Sequence, residues 1–338
     1  MSAIDSPQES KTANKLNLRK LLTESPMAPP LVTLVAAFIL FALFVPNFAS
    51  VRTISGIINA ASINAIVVIG VTMLMISGEF DLSVGAMVAM GGYIFAQITL
   101  DGGSPALAVL LTLVVTGIMG AINGGLTIGT GIPSFIVTLG TRSIYRAAVW
   151  ILSGGLMLQT AERLAIYDFF SSRLDFINNL FERANFRSIT LWALVLGLLL
   201  QLVLTRTRFG NQLFATGGNP GAARAQGVKT KLVKLISFIV TGALCGVAGI
   251  MTFSQFTTVF VATATDLELT AIASAVVGGT LLTGGVGSII GGLLGILIIN
   301  MLRTGVVLLG LPSDNFEAIV GVAIIGAAII NEYIRRRS

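Results

Sequence analysis

Ten apolar runs follow one another along the chain, at roughly 31–45, 54–76, 84–100, 106–128, 133–153, 189–205, 235–254, 268–283, 287–309 and 315–334. Several approach the ~20 residues that a helix needs to cross a bilayer, and a spanning segment must satisfy its own backbone hydrogen bonds. The remaining composition agrees. Of the 338 residues 54% are hydrophobic and only 11% charged, where a soluble domain carries about a quarter charged residues. The expected fold is an all-α polytopic membrane protein of about ten transmembrane helices.

Charge placement orients it. The polar tail 1–30 holds Lys11, Lys15, Arg19 and Lys20, the loop 206–234 holds six Lys/Arg and no acid, and 335–338 holds three arginines. Ten spans put all three on one side, with thirteen of the 21 Lys/Arg. The positive-inside rule makes that side the cytoplasm, with both termini there and the long polar segment 154–188 outside. The net charge of +6 thus belongs to membrane flanks, and no nucleic-acid partner is expected. No cleavable leader is expected either, because the apolar runs begin only near Leu31.

Two halves resemble each other. GEFDLSVGAMVAMGG (78–92) is echoed by TDLELTAIASAVVGG (265–279), and Asn123 precedes Pro133 as Asn300 precedes Pro312. The copies, about 54–153 and 235–334, lie five helices apart. That odd shift makes them inverted repeats, which commonly place a transport route at their interface.

Chemistry-bearing residues are few. With no histidine and one cysteine, Cys245, the chain offers no zinc set and no disulfide. It has no G-x-x-x-x-G-K-[ST] phosphate loop, and Leu152-Ser153-Gly154-Gly155 is a chance echo of an ATPase signature. No metal or cofactor is expected. Glu79 and Asp81 lie between apolar runs, where a carboxylate needs a helix end or a wet cavity. Two roles stay open for them, ligand contact and a helix start at Asp81-Leu82-Ser83. Asn59, Ser62 and Asn64 form either a polar seam or interhelical hydrogen bonds. Arg142 and Arg146 share a helix face and require acids or an interface. GxxxG spacings at Gly120/Gly124, Gly242/Gly246 and Gly287/Gly291/Gly295 mark packing faces.

The loop 206–234 contains a compact helix signal. Asn219 can cap, Pro220 suits the first position, Ala222 to Gln226 favour helix, and Gly227 can take the left-handed stop. About two turns are unstable alone and call for a docking surface. A solvated basic loop is the plainer alternative.

SGEFDLSVGAMVAMGG, GIPSFIVTLGT (131–141), RFGNQLFATGGNPGAARAQGV (208–228) and GGTLLTGGVGSIIGGLLGILI (278–298) together resemble the membrane permeases of ribose-type ABC sugar importers. The resemblance runs from about residue 30 to the end. Gly221 stands where that family usually has Glu, and Glu79-Phe80 where it more often has Gly-Ile. The resemblance implies a single permease domain over 31–334, in a bacterial inner membrane, translocating a ribose-like monosaccharide or related polyol by alternating access. It implies a second permease subunit, an external sugar-binding protein and cytoplasmic ATPase subunits that bind ATP–Mg. It makes 219–227 the ATPase-coupling helix, with Gly217, Gly218, Asn219, Pro220, Ala223, Arg224 and Gly227 as its residues. Candidates for the substrate pathway are Asn59, Asn64, Glu79, Asp81, Asn123, Phe135, Asp266 and Asn300. Nucleoside or branched-chain amino-acid permeases share parts of the pattern. An ion-coupled secondary carrier would instead use Glu79 or Asp81 as its coupling site.

Overall fold

The structure is a computed structural model, and it describes residues 28–312, 318, 321, 322, 325 and 326. The expected cytoplasmic tail, most of the tenth span at 315–334 and the basic end 335–338 lie outside the described residues. Thirteen named helices and a two-residue antiparallel ladder make up what is described. In chain order they are α1 (Ala28–Phe44), α2 (Val51–Ile76), α3 (Val84–Leu100), α4 (Pro105–Thr130), α5 (Ser134–Ser153), β1 (Leu158–Gln159), α6 (Ala165–Ser171) and α7 (Asp175–Asn178). There follow α8 (Ser188–Arg206), α9 (Arg208–Gly218), α10 (Pro220–Ala225), α11 (Thr230–Phe256), β2 (Thr258–Val259), α12 (Leu267–Val277) and α13 (Ile289–Leu308).

Among the described residues six helices, α2, α4, α5, α8, α11 and α13, are long and apolar enough to cross a membrane, and α1, α3 and α12 are shorter apolar helices. The fold is all-α and polytopic, as the apolar runs required. The run read at 268–283 shortens to the 11 residues of α12, because Gly278 and Gly279 end the helix and an irregular stretch follows to Ser288.

At the centre lies α11, packed on α4, α3 and α2. Small residues set that crossing. A Cβ on Gly242 would stand 3.2 Å from Gly120 Cα, and one on Gly124 3.1 Å from Phe238 Cβ, so the two GxxxG faces press backbone to backbone. Cys245 is fully buried in this packing.

The segment 154–188 and the basic loop 206–234 meet opposite ends of the bundle. Near the start of α2, Asn59 donates through Nδ2 to the Asn185 carbonyl, and its Oδ1 accepts from Arg187 N at 3.2 Å. Ser55 Oγ accepts from Asn185 N at 3.2 Å, and Ser62 Oγ bonds Thr190 Oγ1 at 3.1 Å. Tyr167 donates to Thr99 Oγ1 (2.9 Å) and Arg163 to the Ser254 carbonyl (2.8 Å), which ties the same segment to the ends of α3 and α11. At the other end of α2 the Ile76 carbonyl meets Gly217 and accepts from Gly285 N at 2.9 Å. From Asn59 to Ile76 is about 26 Å at 1.5 Å per residue, close to a bilayer's hydrocarbon thickness.

Candidate functional site: a capped short helix beside two irregular segments

The helix signal in the basic loop folds as its residues dictate. Asn219 caps α10, with Oδ1 accepting from Ala222 N at 3.0 Å and Pro220 next in line. At the far end Gly227 adopts φ +82°. Its N–H bonds the Arg224 carbonyl (2.9 Å) and Val228 N–H bonds the Ala223 carbonyl (3.0 Å), the crossed pair of bonds that closes a helix on a left-handed glycine. Ala223 is buried beneath the helix, whereas Arg224 is exposed.

Not foreseen from the sequence was α9, which places Gly217 and Gly218 at a helix end rather than in a loop. Its signal is the apolar set Phe209, Leu213 and Phe214 on one face, hidden by the neighbouring charges. Those two glycines carry the structural point. A Cβ on Gly217 would collide with the Ile76 carbonyl and stand 2.6 Å from Gly285 N. One on Gly284 would stand 2.9 Å from Gly78 Cα and 3.2 Å from Gly217 Cα. Three backbone segments (77–83, 217–218 and 284–285) therefore touch where any side chain would hold them apart.

The irregular segment 77–83 is held by side chains of its neighbours. Ser134 Oγ accepts from Phe80 N and Thr138 Oγ1 from Leu82 N, both at 3.0 Å. Asp81 is fully buried. Its Oδ1 accepts from Ser83 N and Ser83 Oγ, each at 2.7 Å, and its Oδ2 accepts from Asn123 Nδ2 at 2.9 Å. Asn123 Nδ2 also reaches Ser83 Oγ (2.8 Å), and Tyr145 O–H stands 3.1 Å from Asn123 Oδ1 and 2.9 Å from the Met119 carbonyl. The helix itself starts at Val84, and Ser83 makes no side-chain cap, so Asp81 braces the turn before α3 rather than capping it. Such a fully bonded network is how buried polar groups become tolerable.

Glu79 lies on the other side of the same segment, ion-paired with Lys234 of α11. Both line a cavity of about 250 Å³ with Thr127, Pro133, Arg224 and Lys231. This connects α10, the start of α11 and the 77–83 segment in one contiguous region.

The remaining pathway candidates scatter. Asn59 is spent on residues 185–187, and Asn64 is half-buried on the same helix. Asn300 is buried and donates to the Ile296 carbonyl at 2.9 Å. Phe135 stands exposed on α5. Asp266, which the sequence pattern set against Asp81, opens α12 at φ +60° and lies 3.7 Å from Arg142. Arg142 also pairs with Glu268 at 2.7 Å, so of the two arginines of α5 Arg142 meets acids, whereas Arg146 reaches the Val261 and Thr263 carbonyls instead. Glu268 was legible as an acid inside an apolar run, yet Asp266 beside it drew the attention.

A family model described as the branched-chain amino acid transport system / permease component matches residues 53–328. The chain belongs to this family. Among similar proteins is the autoinducer 2 import system permease protein of Salmonella typhi, 30% identical over 94% of this chain and 88% of that protein. Its counterpart in Photorhabdus luminescens is 29% identical over 94% and 92%. The D-allose transport system permease protein of Escherichia coli is 31% identical over 86% of each. No solved structure gives a significant match. The permease is a multi-pass transport subunit and not an enzyme.

Proposed function

We propose that this permease is the membrane subunit of an ATP-driven importer that moves a sugar, delivered by an external binding protein, across a bacterial inner membrane by alternating access. Relatives named for autoinducer 2 and D-allose import support a small polyhydroxylated substrate over an amino acid. The observation that carries the mechanism is the capped helix Asn219–Gly227, followed directly by α11 and preceded by glycines in backbone contact with 77–83 and 284–285. A partner ATPase seated on that helix would move both irregular segments at once. Energy enters as the partner's differential affinity for two states, since ligand-driven change requires such a difference.

On this reading 206–234 and both termini are cytoplasmic, 154–188 faces outward to the binding protein, and a second permease subunit completes the route. Ion coupling is disfavoured by what holds the two acids. Asp81 accepts three hydrogen bonds and Glu79 is paired with Lys234, so each acid already has partners within the protein. The test is reconstitution of the permease with its ATPase and binding protein in vesicles. Uptake of D-allose or D-ribose should require ATP and survive a protonophore. Uptake that collapses with the proton gradient and ignores ATP would establish a secondary carrier. Reporter fusions near Asp175 and at Ser338 should give opposite signals.

A further inference from the structure

On α5, residues 135, 139, 142, 146 and 150 recur at helical spacing along one face. Phe135, Leu139 and Trp150 are 53%, 45% and 59% exposed, and Arg142 opens through the same face with its side chain 32% exposed. Arg142 stands nine residues into a 20-residue spanning helix. Across from it Asp266 is 47% exposed and Glu268 only 1%. Charged groups turned to lipid at this depth would cost roughly 2.5–3.5 kcal/mol each on insertion scales. The face is therefore wet or covered, not lipid-bound.

Beneath the exposed pair, hydrogen-bonding capacity is left over. Arg146 spends Nη1 on the Val261 and Thr263 carbonyls, the latter at 2.6 Å. Its Nη2 and Glu268 Oε2 are buried without a hydrogen-bond partner. Both converge on Gly85 at the start of α3, where a Cβ would collide with the Ala264 carbonyl and stand 2.7 Å from Glu268 Oε2 and 3.2 Å from Arg146 Nη2. A donor and an acceptor thus lie near each other where the backbone at Ala264 packs on Gly85. Two arginines and two acids make the cluster neutral, so it does not select a charged solute. A hydroxyl both donates and accepts, and it suits this pairing.

We propose that Arg142, Arg146, Asp266 and Glu268 form a hydroxyl-binding subsite on the translocation route, taking an uncharged polyhydroxylated solute in passage. The proposal deepens the sugar-import reading and rests on it.

The experiment uses the reconstituted importer with saturating loaded binding protein, so that outer selection drops out. The probes are D-allose and its 3-deoxy analogue. Glu268→Gln and Arg142→Gln should each lower D-allose uptake by about tenfold, the equivalent of 1.4 kcal/mol, and reduce the preference for D-allose over the deoxy analogue. Unstimulated ATP hydrolysis should stay unchanged. In parallel, Leu139→Cys should react with a hydrophilic thiol reagent, with D-allose slowing the reaction several-fold. Cys245 is fully buried and gives no background. Equal loss for both sugars, with Leu139→Cys unreactive, would reduce the cluster to a staple for the 257–268 segment and overturn the subsite. Labelling that D-allose does not slow would also overturn it. A wild-type importer that moves neither D-allose nor D-ribose would instead overturn the sugar reading, and the hydroxyl subsite with it.

Discussion

Gly227→Val isolates the end of the coupling helix from every other effect. No atom lies within 4 Å of a Cβ built on Gly227, so the substitution meets no steric obstacle. Its cost is conformational. The residue sits at φ +82°, where an L side chain loses roughly 1–2 kcal/mol and a β-branched one is the worst fit. Escape to negative φ would break the two crossed bonds from Gly227 N and Val228 N to the Arg224 and Ala223 carbonyls. Either way the native end of α10 becomes about 5- to 30-fold less populated. Gly227→Asn supplies the control, since asparagine tolerates the left-handed region. The assay is co-purification of the ATPase and ATP-dependent sugar uptake, normalised to permease in the membrane. Gly227→Val should lose both and Gly227→Asn should keep most of each. If valine transports as well as glycine, α10 is a solvated anchor and not a docking element.

Two further outcomes are expected. Lys234→Ala leaves Glu79 uncompensated in a largely buried site and should lower stability by about 3 kcal/mol, whereas Lys234→Met with Glu79→Gln should recover most of it; thermal unfolding in detergent separates the two. Asn59→Ala removes both bonds to 185–187, so trypsin added outside should cut faster at the exposed Arg183, with no change in cleavage within 206–234.

Much of this was readable from residue order alone. Period and length gave the spans because lipid leaves the backbone no alternative. Asn219, Pro220 and Gly227 announced α10 because capping is local chemistry. What stayed hidden depends on long-range approach. Nothing near Gly217 says that Ile76 and Gly285 will touch it. Nor does the Asp-Leu repeat reveal that Asp81 is sealed among Ser83 and Asn123 while Asp266 stands open beside Arg142. The two aspartates share a motif, and their neighbours differ because α4 and α5 brace one and the turn after β2 carries the other. For α9 the failure was of weighting, since charges at Arg206 and Arg208 outvoted its apolar face.

The contact of residues 78, 217 and 284–285 also sets a schedule. Its first member leaves the ribosome some two hundred residues before its last, and bare backbone cannot hold the place open with a provisional side-chain contact. The surface around α10, proposed above to meet the ATPase, is therefore completed only when most of the chain has been made and inserted. A truncated or mis-threaded permease would present the α10 helix unsupported, with Gly217 and Gly218 lacking their backing. If the ATPase docks there as proposed, its docking would double as an inspection of the finished membrane domain.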